Sequence, residues 1–96
     1  MALKIKEEGG SKRDIAISLN YIGTTYLQIM KLPEAEKYLM RAKQYVDSIG
    51  TVSLKKETYK GLASIAFFKK DWKKAFEYHT AYVVYHDTLQ SQQNQR

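Results

Sequence analysis

The sequence predicts an all-α fold, a solenoid of antiparallel helix pairs with two full repeats and a partial N-terminal helix. Three observations predict it. Apolar residues recur in steps of three and four along four stretches, a spacing that gathers side chains on one face of a helix. Proline occurs once and glycine five times in 96 residues, too few for a turn-rich β structure. The chain also matches itself at a shift of 40 residues, and a period of that order signals stacked supersecondary units.

The self-match runs through both helices of each unit. Ala35 falls on Ala75, Tyr38 on Tyr78, Tyr45 on Tyr85 and Asp47 on Asp87. Similar residues follow: Leu19 with Tyr59, Ile22 with Leu62, Gly23 with Ala63, and Leu32 with Trp72. The chain start joins in, Ala2 falling on Ala42, Ile5 on Tyr45 and Gly10 on Gly50. The apolar stripes are Ile15, Leu19, Ile22, Gly23, Tyr26 and Met30, then Ala35, Tyr38, Leu39, Ala42, Tyr45, Val46 and Ile49. Leu54, Tyr59, Leu62, Ala63, Ile65 and Ala66 form the third, and Ala75, Tyr78, His79, Tyr82, Tyr85, His86 and Leu89 the fourth. Each is the buried stripe of an amphipathic helix.

Local signals set the boundaries. Ser11 followed by Asp14 is similar to a capping box. Pro33 suits a first helical turn, where its missing N–H is not needed. Gly50 can take the left-handed conformation that ends a helix, while Ser53 and Asp71 can cap the helices that follow. The expected elements are a stub near 2–8 and helices near 12–30, 33–48, 53–69 and 72–90. Short linkers make neighbouring helices antiparallel. The domain reading is a truncated helix at 1–10, repeats at 11–50 and 51–90, and a polar tail at 91–96.

The pattern Leu19-x-x-Ile22-Gly23-x-x-Tyr26, followed by Ala35-x-x-x-Leu39 and Ala42, resembles the tetratricopeptide repeat. Tyr59-x-x-Leu62-Ala63-x-x-Ala66, then Ala75-x-x-x-His79, is the second unit. The period departs from that family's usual value of about 34 residues, and Asp47 and Asp87 stand where its closing proline is usual. HEAT and armadillo repeats, with periods near about 40, are the alternative fold. The longer form, with Tyr-x-Asp-Ser/Thr late in the second helix, resembles repeat regions of bacterial sensor kinases and transcription regulators. The resemblance implies a protein-binding, signal-sensing scaffold module that is part of a larger protein. It places a concave binding face on Ile17, Asn20, Thr24, Leu27 and Gln28, then Glu57, Lys60, Ser64, Phe67 and Phe68. In some members a basic and amide set there clamps a C-terminal carboxylate; only Asn20 and Lys60 match it.

The chain carries 16 Lys and Arg against 10 Asp and Glu, a net charge of +6. A basic balance suits nucleic acid or anionic surfaces, so a nucleic-acid-binding helical repeat is the second functional reading. The lysines are nonetheless spread along the chain. Lys69, Lys70, Lys73 and Lys74 bracket Asp71-Trp72 at a turn, with Trp72 expected to pack beneath it as Leu32 does in the first unit. There is no cysteine, hence no thiolate chemistry. His79 and His86 are seven apart, too far for adjacent-turn metal ligation, and read as packing residues. No nucleophile motif or phosphate loop is present, so no catalytic, metal or cofactor residue is expected, and the protein is not read as an enzyme.

No apolar run is long enough to span a bilayer, and no signal peptide opens the chain. The compartment stays open between a periplasmic sensor region and the cytoplasm. Tyr82 stands where the other units have alanine, which points to 51–90 as a terminal repeat. Tyr82, Tyr85 and His86 then form a cap or a docking face, with self-association as one use. The expected partner is a protein or peptide, ahead of nucleic acid.

Overall fold

The computed structural model describes residues 11–49 and 51–94. They form four helices, α1 (Lys12–Gln28), α2 (Leu32–Ile49), α3 (Val52–Phe68) and α4 (Trp72–Asn94), with no strand among them. The fold is all-α and repeat-like: α1 and α3 start and stop 40 residues apart, and so do the starts of α2 and α4. α1 packs chiefly on α2 and α3 on α4, while α2 meets α3 and α1 touches α3 more lightly. The expected stub at 2–8, the Gly50 helix end and the last two residues of the tail lie outside the described residues.

The starts at 12 and 72 fall where expected, and the other boundaries shift by one to four residues. Ser11 caps α1, its Oγ accepting from the Asp14 N–H at 3.1 Å. Asp71 holds the start of α4, its Oδ1 accepting from the Lys74 N–H at 3.3 Å. Ser53 does not cap α3, which begins one residue before it; Thr51 occupies the cap without a side-chain bond. α4 continues through Ser91 to Asn94, because glutamine and asparagine are tolerated in a helix that nothing stops.

The two intra-unit turns are built alike. Met30 and Lys70 take φ of 62° and 63°, the left-handed region that a non-glycine residue enters at a cost of about 1–2 kcal/mol. Hydrogen bonds offset that cost. Met30 N–H donates to Leu27 O and Lys31 N–H to Tyr26 O; 40 residues on, Lys70 N–H donates to Phe67 O and Asp71 N–H to Ala66 O. These are the paired bonds that satisfy the orphan carbonyls of a helix end. Met30 therefore lies beyond α1, exposed, and not on its apolar stripe.

Small residues set the packing distance. Leu39 of α2 is fully buried. A Cβ on Gly23 of α1 would stand 2.7 Å from Leu39 Cγ and 3.2 Å from its backbone N. A Cβ on Gly61 of α3 would stand 2.7 Å from Leu39 Cδ1. One leucine thus fills the space left by two glycines on two helices. Ala35, Tyr59, Leu62 and Ile65 complete its cluster, and Ile15, Leu19 and Ala42 form a second one.

Polar contacts fix α3 in place. The buried Thr58 hydroxyl donates to Asn20 Oδ1 at 3.3 Å. The Tyr59 hydroxyl donates to Asp47 Oδ1 at 3.0 Å, and Lys43 Nζ pairs with Asp47 Oδ2 at 3.0 Å. Burial and the Asp47 carboxylate push the Tyr59 hydroxyl from 10.0 to about 12.

Two outcomes should follow. Alanine favours a helix over glycine by about 1 kcal/mol, but overpacking costs about 1–3 kcal/mol. Gly23→Ala meets a side-chain branch point and a backbone atom, so it should lower thermal stability. Gly61→Ala meets only a terminal methyl and should cost less; the reverse order in thermal melts would refute this account of Leu39. The folded state holds the Tyr59 proton more tightly than the unfolded one, so its contribution is complete below pH 10 and is lost as pH rises toward 12. Denaturant titrations across that window should show the wild type converging on, then falling below, Tyr59→Phe. A constant gap between them would show that burial and Asp47 do not raise the Tyr59 hydroxyl.

Candidate binding groove

α3 and α4 leave a groove between them. Lys60, Ala63, Ser64, Phe67 and Phe68 line it from α3, and Ala75, Phe76, His79 and Tyr82 from α4. Its volume is about 520 Å³, within the usual range of ligand pockets. Ala63 and Ala75 are small and half-buried, so they form a floor. Phe67, Phe68 and Phe76 are exposed and form walls. An open, mostly apolar groove of this size is a candidate binding site.

The groove is the second unit's version of a space that is filled in the first. Residue for residue, Ala63 corresponds to Gly23, Ala75 to Ala35, and His79 to Leu39. In the first unit that space is closed by α3, whose Gly61 lies against Leu39. Among the described residues, nothing lies on the equivalent face of the second unit.

The residues expected on a concave face divide between two places. Lys60, Ser64, Phe67 and Phe68 converge in the groove. Glu57 is exposed beside Lys56, 3.7 Å from its Nζ. On α1, Asn20 is engaged by Thr58, Leu27 packs on the core and Thr24 is half-buried; Ile17 and Gln28 stay exposed. The Asn20 amide oxygen is thus already bonded within the fold.

Tyr82, Tyr85 and His86 also separate. The Tyr82 ring lies between His79 at 6.0 Å and His86 at 5.8 Å and lines the groove. Tyr85 turns the other way, 5.5 Å from the Tyr59 ring, with Lys55 Nζ 5.4 Å over its face. His86 is half-buried, and its Nδ1 is buried without a hydrogen-bond partner. Residues that sequence reasoning had not assigned to a binding site are Ala63, Ala75, Phe76 and His79. The available signal was Phe76 standing at the position of Glu36.

The groove ends at the α3–α4 turn. Trp72 does not pack beneath this turn; it is 58% exposed and meets Phe67 edge-on at 5.5 Å. Leu32, its counterpart, is the smaller residue and is half-buried. The aromatic side chains at this end therefore lie on the surface and not on the core stripe. Over residues 67–76 the turn carries four lysines against one aspartate; residues 27–36 carry one lysine against two glutamates. Lys69 Nζ bonds Glu36 Oε1 at 2.9 Å, which puts this turn beside the first turns of α2. Among the described residues no His, Asp and Glu group is arranged to hold a metal ion, and no helix is long and apolar enough to cross a membrane.

Phe76 and Tyr78 test whether the groove is open. Phe76 is 73% exposed, so Phe76→Ser should change stability by less than about 0.5 kcal/mol. Tyr78 is half-buried against the core and 5.9 Å from the Tyr59 ring, so Tyr78→Ala should cost about 2–4 kcal/mol. Equal losses in chemical denaturation would mean that Phe76 is a core residue.

Comparison of the chain with protein-family models, with curated proteins and with solved structures gives no match.

Proposed function

We propose that the chain is a protein-interaction module, a tetratricopeptide-like solenoid of antiparallel helix pairs that takes a segment of another protein into the α3/α4 groove. The groove carries this reading: it is an open apolar face at the position where the first unit holds α3. The repeat of helix bounds and turn hydrogen bonds at 40 residues supports the solenoid. Small residues between helices, Gly23, Ala35, Gly61 and Ala63, support it as well, since stacked repeats need close approach. Within a larger regulatory protein such a module reads out the presence of its partner by binding.

The lysine-rich turn favours nucleic acid as a second reading. The two differ in what disrupts them. Peptides selected from a displayed library against this chain should perturb the amide resonances of 60–68 and 75–82. Ala63→Arg, which fills the groove floor, should abolish that binding. Peptides mapping elsewhere, or indifferent to Ala63→Arg, would refute the groove reading. Tight, steeply salt-dependent oligonucleotide binding that survives Ala63→Arg would replace it with the nucleic-acid one.

A further inference from the structure

We infer that the occupant of the α3/α4 groove is an amphipathic helix from a partner protein with a defined pattern. It carries an acidic residue facing Lys60, a small residue three positions later against His79, and a large apolar residue eleven positions after the first, over Phe76. The inference rests on the groove reading above and adds the chemistry of the partner.

The chain contains its own template. α3 lies on α1 and α2 through Thr58 on Asn20, Gly61 on Leu39 and Lys69 on Glu36. Thr58, Gly61 and Lys69 are separated by three and eleven residues, near whole numbers of helical turns, so they share one face. Advancing the receiving residues by 40 converts Asn20 to Lys60, Leu39 to His79 and Glu36 to Phe76. Each conversion changes what the incoming helix must present. An amide that accepts from a hydroxyl becomes an exposed ammonium, which calls for a carboxylate. A leucine facing glycine becomes a histidine backed by the Tyr82 ring at 6.0 Å, which leaves no more room than before and keeps the small residue. A glutamate paired with a lysine becomes an exposed phenylalanine, which calls for an apolar side chain.

Two further features agree. Asp87 stands where Asp47 accepts from Tyr59 and is exposed, so a tyrosine directly after the acidic residue finds an acceptor. The α3–α4 turn places Lys70 and Lys73 at the groove's end, both exposed, and their counterparts in the first unit are Met30 and Pro33. An identical backbone turn carries neither charge there, so the turn itself does not require them. Charge complementarity therefore selects an acidic helix over a basic one.

The test uses a stapled helical peptide with the sequence of residues 52–69, altered by Thr58→Glu and Lys69→Leu, stapled on its outward face. It contains no tryptophan, so Trp72, the chain's single tryptophan, reports binding through its contact with Phe67. This helix should bind about fivefold tighter or more than the same helix with Thr58→Lys, and high salt should shrink the difference. Lys60→Glu in the protein, an exposed change compatible with folding, should invert the preference. Gly61→Leu in the peptide should weaken binding more than tenfold. If all these helices bind alike, the pattern is wrong while the groove reading stands. If none binds while library-selected peptides still map to the groove, the helical occupant is overturned and the groove reading stands. If phosphatidylserine vesicles shift Trp72 emission and the helices do not, the occupant is a membrane surface and the inference is overturned.

Discussion

The closure of Leu39 between Gly23 and Gly61 is the contact on which the arrangement of three helices depends. Interiors pack at crystal-like density, so the distance between two helices is set by the largest side chain that must fit between them. Leu39 has no room on either side for a β-carbon from α1 or α3. The leucine is thus a common spacer: α1 and α3 both approach α2 as closely as a bare backbone permits. Ala35, one turn earlier on α2, is also fully buried and extends the close contact. The polar bonds Asn20–Thr58 and Asp47–Tyr59 then fix the sliding position of α3, which apolar packing alone leaves loosely defined.

Most of this fold was legible from periodicity, because a helix with one buried face must space its apolar residues by turns. All four helices were found that way. What periodicity missed has a physical origin in each case. Met30 has an apolar side chain at the correct spacing, yet it follows the end of α1, because Lys31 N–H reaches back to Tyr26 O and forces φ of 62°. Neither Met30 nor Lys70 is a residue type that announces a left-handed turn. Ser53 resembled a cap, but Thr51 occupies that place without a side-chain bond, so the backbone defines the start of α3. Gly61 escaped the repeat comparison because its counterpart is Tyr21. Likeness between units identifies equivalent positions, whereas Gly61 matters for a contact between different units.

The groove was half legible for a related reason. The family resemblance pointed to Lys60, Ser64, Phe67 and Phe68, which α3 does present there. On the α4 side, the apolar stripe makes Ala75 and His79 core positions, and only Tyr82 is expected on a cap or docking face. A stripe states which face avoids water if something covers it; it does not say whether the cover is present. In α2 the cover over Leu39 is Gly61 of α3 together with Gly23 of α1, and Leu39 is fully buried. In α4 no residue of the described chain is fully buried, and the stripe becomes the wall of a cavity. On the α1 half of the expected face, Asn20 and Leu27 are already occupied by contacts within the fold, whereas Ile17 and Gln28 stay exposed.

The contrast between the two units also separates what folding requires from what it does not. The turns at 26–31 and 66–71 have equivalent hydrogen bonds and a left-handed residue at the same position, so their backbones make equal demands. The side chains nonetheless differ. Lys73 and Lys74 sit in the first turn of α4, which holds no acidic residue, where the helix dipole disfavours cations by about 0.3–1 kcal/mol each. Phe76 replaces a glutamate that is ion-paired in the first unit, and Trp72 replaces a half-buried leucine and stands exposed. Each change exposes apolar surface or adds charge that the isolated fold gains nothing from. A single class of ligand would relieve both costs at once, by covering the aromatic walls while bringing negative charge to the lysines. The second unit therefore presents exposed aromatic and cationic side chains that its backbone does not require.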